Sequence, residues 1–315
     1  MSIFHIIVPK GISKAVFESQ ILSKFSGLEC IFYSFSGLKE LSDVKLISTT
    51  PVLSENDVIY FRSVVDYAKF KSKLSNKHGC KLIYDFRGLI SEESFLKNRS
   101  FIRRFILRFL EKFAYKSADD VWTVSNNLKE YLGSRYGKRN VKVFPCKINK
   151  DWVVKRQFKD TNSINFIYVG SMSEWQCFEK VCSEYKRLMN SNTTLTVLTK
   201  DLSKANQILS KYGLSALIKS CDRDEVLDYL DRAHFGFVLR DNNLVNSTAS
   251  PIKVVEYASR GVFPIMTNNV GDYSLELKGV AVNIEDTSLD IDSLVNHISQ
   301  EKLDLLYDWS LKYTW

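Results

Sequence analysis

The segment Ser250–Gly261 reads SPIKVVEYASRG and combines features that suit an anion. Ser250 fits a helix N-cap and Pro251 the first helical position. Gly261 fits the stop, ahead of a strand-like run from Val262 to Met266. The first turn of such a helix offers unpaired N–H groups and the positive end of its dipole. Lys253 adds a full positive charge in that turn, which is slightly unfavourable until an anion arrives. Lys253, Glu256, Tyr257 and Arg260 fall on one face. A carboxylate one turn in from a phosphate can accept two hydroxyl protons, as from a ribose. A capped helix with a solvated polar face fits the same spacing.

The elements that must position this segment alternate between two periodicities. Ile3–Val8, Cys30–Phe35, Val58–Arg62, Lys81–Phe86, Val121–Ser125 and Val141–Phe144 read as strands, with helical spacing between them. Ile164–Val169, Thr194–Thr199, Phe235–Leu239 and Val262–Met266 repeat the rhythm. Glu174–Met189, Leu202–Tyr212, Asp224–Arg232, Ile252–Arg260 and Leu289–Lys312 read as helices. Several strands are apolar nearly throughout, as buried parallel strands are. Two such series predict two doubly wound α/β domains joined by the polar stretch Asp151–Ser163. Ligands in such sheets bind beyond the carboxyl ends of the strands, so a cleft between the domains is the expected site.

SPIKVVEYASRGVFPI resembles the donor-binding signature of the GT-B glycosyltransferases, specifically the retaining family 4 group. INFIYVGSMSEWQ (Ile164–Gln176) is similar to that group's C-terminal strand and glycine loop. Ala233–Arg240, Ala249–Gly261 and Gly271–Asp272 keep its order and spacing. YDFRG (Tyr84–Gly88), Glu92–Glu93 and ADDVWTVS (Ala118–Ser125) are similar to its N-terminal domain. The resemblance implies a GT-B fold with two Rossmann-like domains facing across a cleft and a C-terminal helix crossing back. It sets an acceptor-side domain at 1–155, a nucleotide-sugar domain at 156–300 and a returning helix at 301–315.

The resemblance also implies roles. The amides after Ser250 and Pro251, around Ile252 and Lys253, would hold the donor diphosphate, and Glu256 the ribose. Gly170 and Ser171 would let the backbone approach the phosphate or sugar. Gly11 would face the phosphates from the other domain. Arg240 and Lys253 would neutralise the departing diphosphate, so no metal or other cofactor is expected. The base would lie near Lys200 and Ser220–Asp222. Trp175 and Gln176 replace the loop's usual basic residues; they fit stacking on the donor or packing at a helix start. Thr248 stands where many members carry a second glutamate near the donor sugar.

Other candidates are weaker. Asp222-Arg223-Asp224 spells the D-x-D of metal-dependent transferases, but it precedes a helix, and N-capping explains it better. Asp85, Arg87 and Glu92, near a strand end, fit contacts to an acceptor hydroxyl or phosphate, or a local ion pair. His5 and His234 lie in apolar strands; His78 and His297 are isolated. The six cysteines form neither a C-x-x-C nor a zinc-like spacing, as expected for buried thiols in a reducing compartment.

Charge is unevenly spread. Residues 1–150 carry 26 Lys and Arg against 14 Asp and Glu, a balance of +12 within a total of +8. The remainder is therefore −4. Lys97–Lys116 (KNRSFIRRFILRFLEKFAYK) carries much of the excess. Phe101, Phe105, Phe109 and Phe113 recur every four residues beside Ile102, Ile106 and Leu110, with Arg and Lys on the other side. A basic amphipathic helix is drawn to anionic lipid, and the same stripe would also cover a sheet. No apolar run reaches eighteen residues, and Met1–Pro9 has no secretory pattern.

The expected protein is a cytoplasmic hexosyltransferase, peripheral at the inner face of the cell membrane. It would move a sugar from a nucleotide-sugar donor to a glycan, lipid-linked in the setting the resemblance suggests: bacterial surface polysaccharide biosynthesis with retention of configuration. A non-catalytic nucleotide-sugar-binding subunit and a nucleotide-sugar epimerase of the same fold are the alternatives. Nucleic acid is not an expected partner, because no recognised binding motif accompanies the charge.

Overall fold

The computed structural model describes residues 2–72, 79–157 and 161–315. They form two compact units, Met1–Cys146 with Trp315 and Lys147–Thr314. The first contains β1 (Phe4–Ile7), β2 (Cys30–Tyr33), β3 (Val58–Phe61), β4 (Lys81–Phe86), β5 (Asp120–Thr123) and β6 (Val141–Val143). Their order is β2-β1-β3-β4-β5-β6, and every pairing is parallel. β3 is buried along its whole length, which explains its unbroken apolar sequence VIYF.

The second unit contains β7 (Ile164–Val169), β8 (Thr193–Leu198), β9 (Leu217–Lys219), β10 (Phe235–Val238), β11 (Phe263–Met266) and β12 (Val282–Asn283). The order β9-β8-β7-β10-β11-β12, again all parallel, is the Rossmann order. Its topological switch point lies between β7 and β10. Those two strands pair only at Phe235–Phe166 and Gly236–Ile167 before they part. The sequence-based strands omit β9 and β12, which have three and two residues.

Three boundaries differ from the sequence expectation. The division falls after Cys146, not at 155, because Ile148 is in the second core and Trp152 and Val153 pack against it. The expected linker thus begins inside the second unit; its residues Phe158–Asp160 lie outside the described residues. The expected helix 289–312 is two helices, Ile291–His297 and Gln300–Leu311, the latter capped by the Ser299 side chain. Gln300–Leu311 packs on Ile252–Ser259 and lends Leu303, Leu306 and Trp309 to the second core.

The basic stretch also rearranges. Arg99, in the left-handed region at φ 51°, ends the helix Ile90–Asn98, and Ser100 caps a second helix, Phe101–Ser117. Its buried residues are Leu107, Glu111, Ala114 and Tyr115. The phenylalanine stripe faces outward instead: Phe101, Phe105 and Phe109 are 71%, 74% and 64% exposed. The helix has a second apolar face, Leu107, Ala114 and Tyr115, which turns inward with Glu111 bonded to Ser91. Beside it, Arg104 and Arg108 pair with the buried Glu92 of the preceding helix, each at 2.6 Å. Among the described residues, no helix is long and apolar enough to cross a membrane.

Candidate active site

The helix Ile252–Ser259 sits at the switch point because of one aromatic ring. A Cβ on Gly236 of β10 would lie 2.4 Å from the Tyr257 ring, so only glycine lets the helix dock this closely. The Tyr257 hydroxyl then accepts the Val169 N–H at 3.0 Å, where β7 has lost its neighbour. The cap differs from expectation. Pro251 is the N-cap and bonds nothing through its side chain, while the Ser250 hydroxyl meets Tyr273 Oη at 2.7 Å. The helix starts at Ile252, where the helical spacing begins, with Pro251 rather than Ser250 at the N-cap position.

Lys253 and Arg240 bring two buried cations to this place. They are only 8% and 6% exposed. Lys253 Nζ donates to Gln176 Oε1 at 2.7 Å and lies 4.8 Å from the centre of the Tyr168 ring. Arg240 Nη1 donates to the Trp175 carbonyl. Burial, then repulsion from Arg240, holds the Lys253 ammonium well below its usual range. Burial also lowers Arg240. A Cβ on Gly170 would come within 2.8 Å of Lys253 Nζ, so the glycine leaves room for the ammonium.

Glu256 accepts from Arg223 Nη2 at 2.9 Å. Burial raises its carboxyl, and Arg223 and Lys253 pull it back down. Arg223 lies 4.1 Å over the Trp152 ring, and its buried Nε has no hydrogen-bond partner. Arg223 is not legible in the sequence, because its partner Glu256 lies 33 residues away with no spacing rule to link them. Asp222 holds the N-cap position without a side-chain bond. Arg260, placed on the same helix face by spacing, pairs instead with Asp231, at 2.7 Å through Nε.

The structure thus gathers Gly170, Gln176, Arg240, Lys253 and Glu256 around the switch point, with Trp175 contributing its carbonyl. Ser171 accepts from Tyr168 Oη at 2.8 Å through its carbonyl, and its hydroxyl meets Ser173 Oγ at 2.9 Å. Lys200 is exposed beyond the end of β8, and the Thr199 amide bonds Lys219 of β9. Thr248 is buried and gives its hydroxyl to the Leu244 carbonyl at 2.7 Å. Among the described residues, no three His, Cys, Asp or Glu side chains gather in a metal-binding group.

In the first unit, Gly11 lies in an exposed turn after β1 at φ +75°. Asp85 and Arg87 share one cluster at the carboxyl end of β4, whereas Glu92 is engaged by Arg104 and Arg108. His5 meets Tyr33 and Asp57, and His234 accepts the Asn165 amide; both are core residues. His297 contacts the Val280 carbonyl, and His78 lies outside the described residues. A cavity of about 850 Å³ opens beside Val8, Lys10, Phe35, Pro51, Asp66 and Phe70.

No protein-family model matches the sequence, and a search of curated proteins finds no match. Solved structures do match along nearly the whole chain. The glycosyltransferase WaaG of lipopolysaccharide biosynthesis superposes with a TM-score of 0.62 at 14% identity, covering 98% of this chain and 93% of its own. HepE of Anabaena, solved with UDP, gives 0.67 at 12% identity over 99% and 95%. A glycosyltransferase of Rickettsia africae gives 0.60 at 16% identity over 99% of both. The fold is GT-B: two parallel six-stranded sheets, each flanked by helices.

Proposed function

We propose that the chain is a glycosyltransferase that binds a nucleotide-sugar donor in its second unit. One observation carries this reading. Lys253 and Arg240 are buried together at the switch point of a Rossmann-ordered sheet, beside a helix N-terminus, and Glu256 is committed to Arg223. Two buried cations that repel one another call for an anion, and a diphosphate supplies the charge. The amides near Ile252 and Lys253 hold that diphosphate, Glu256 takes the ribose, and the base lies toward Lys200. As the glycosidic bond breaks, the two cations stabilise the charge growing on the leaving group. Retention, with attack on the face the diphosphate leaves, follows from the resemblance of SPIKVVEYASRG to the retaining family 4 signature.

The acceptor belongs to the first unit, whose cavity has the size of a small-molecule site. The outward phenylalanine stripe, with exposed Arg103, Lys112 and Lys116, supports peripheral binding to an anionic membrane face. That in turn favours a lipid-linked glycan acceptor in surface polysaccharide assembly at the cytoplasmic face. Neither a metal nor another cofactor enters this reading.

The test is a thermal-shift series of the full chain with UDP, GDP, dTDP and CMP. One base is expected to raise the melting temperature through mass action, and Lys253→Met to abolish the rise. No response to any nucleotide overturns the reading. Release of nucleoside diphosphate only when acceptor is present separates transfer from epimerisation and from binding without turnover.

A further inference from the structure

The cavity of the first unit lies where the topology of its sheet calls for a ligand. In the order β2-β1-β3-β4-β5-β6 the chain leaves β1 to one side for β2 and to the other for β3, so the switch point falls between β1 and β3. Val8 and Lys10 follow β1, and Phe35 follows β2. Asp66, Lys69 and Phe70 lie on the helix Val64–Lys71, which follows β3; all six line the cavity. Its volume of about 850 Å³ suits a small molecule.

The lining is graded from floor to mouth. Val8, Pro51 and Phe70 are buried and make an apolar floor. Lys10 and Lys69 are exposed and Asp66 is half-buried, so the charges stand at the mouth, two ammonium groups against one carboxylate. Phe35 and Val52 also line the cavity, and they are 46% and 90% exposed. Sugar hydroxyls set against Val8, Pro51 and Phe70 lose their bonds to water without replacement. An apolar chain gains from the same surface, and an anionic group at its end stays hydrated beside the two lysines.

The cavity is also joined to the outward phenylalanine stripe. The helix Val64–Lys71 packs on the helix Phe101–Ser117. Tyr67 Oη meets Ser117 Oγ at 2.9 Å, and the Tyr67 ring lies 6.1 Å from that of Phe113. One helix, about 10 Å across, therefore supplies both a wall of the cavity and the seat of the stripe.

We propose that this cavity binds an amphiphile, an apolar chain ending in a phosphate, and that it is the lipid end of the acceptor. The word acceptor rests on the glycosyl-transfer reading; the binding does not. An isoprenoid phosphate and a straight-chain lipid phosphate share this chemistry.

The experiment is calorimetry on the full chain without detergent. The probes are geranyl phosphate, decyl phosphate, geraniol and glucose 1-phosphate. Geranyl or decyl phosphate is expected to bind more tightly than both geraniol and glucose 1-phosphate, and the order of the first two tells a branched isoprenoid from a straight chain. Val52→Asp, at a side chain that folding leaves in water, should weaken the better lipid phosphate by about tenfold or more. Lys69→Glu should weaken it by about tenfold and leave geraniol unchanged. Phe101→Ser with Phe105→Ser should leave the affinity as it is, which separates this site from adhesion to the stripe. No binding of either lipid phosphate, tighter binding of glucose 1-phosphate, loss of binding in the stripe variant, or indifference to both Val52→Asp and Lys69→Glu overturns the proposal. A nucleotide thermal shift that persists in any of these cases leaves the donor reading standing.

Discussion

The Tyr257 hydroxyl stands in for a β-strand. It accepts the Val169 N–H at 3.0 Å after β10 has diverged from β7, and its ring lies against Gly236. A side chain from the donor helix thus completes the backbone bonding of the strand that leads into the glycine loop. Gly170, Lys253 and Gln176 are held in register by this contact.

Tyr257→Phe keeps the ring on Gly236 and removes the acceptor. The Val169 amide loses its partner, at a cost of about 1–3 kcal/mol. The expected outcome is a lower melting temperature for the second unit and weaker nucleotide binding, measured by calorimetry with and without the nucleotide. An unchanged melting temperature would show that the bond contributes nothing.

Glu111 gives a pH signature to the first unit. Its carboxylate accepts the Ser91 N–H at 3.0 Å and the Ser91 hydroxyl at 2.7 Å. Burial pushes its pKa from 4.5 up to about 7, with Glu92 and Glu93 adding to the rise against the Ser91 bonds. Between those values the folded chain holds a proton that the unfolded chain releases, so this group's contribution falls as pH rises from 4.5 to 7. Glu111→Gln removes the dependence. The variant is expected to gain on the parent by up to about 3 kcal/mol between pH 5 and 8, at about 1.36 kcal/mol per pKa unit. A pH-independent difference in melting temperature between the two proteins would contradict this.

The outward stripe predicts an uncoupling of binding from stability. Phe101→Ser with Phe105→Ser removes side chains that are 71% and 74% exposed, so the melting temperature should hold. Membrane affinity, read by flotation with anionic vesicles, should drop by about a hundredfold or more, since the two lost side chains each remove about 1.5–3 kcal/mol of burial. Arg103→Glu with Lys112→Glu should act in the same direction and only at low salt. Retained flotation in both variants would remove the membrane from the proposed function.

Much of the second unit was legible because its signals are local. SPIKVVEYASRG announces a helix with a cation in its first turn, and INFIYVG announces a buried strand ending on glycine. The structure brings both to one point. What stayed hidden depends on partners far along the chain. Arg223 reaches Glu256 across 33 residues, and Lys24 reaches Asp85 across 61, with no spacing rule to link them. The helix Phe101–Ser117 misleads for a similar reason. Its phenylalanine period is plain, yet a second face, Leu107, Ala114 and Tyr115 with Glu111 bonded to Ser91 of a different helix, is the one that turns inward.

That inversion has a consequence for the protein in free solution. Five large apolar residues, Phe101, Ile102, Phe105, Ile106 and Phe109, are more than half exposed on one helix. Contiguous patches of this kind drive copies together in water. Arg103, Lys112 and Lys116 flank the strip and keep like copies apart by repulsion that acts over about 10 Å at 0.1 M salt. Added salt shortens that range and leaves the apolar attraction in force. Purification should therefore favour low ionic strength or mild detergent, and salting the buffer to suppress adventitious contacts should bring on aggregation instead.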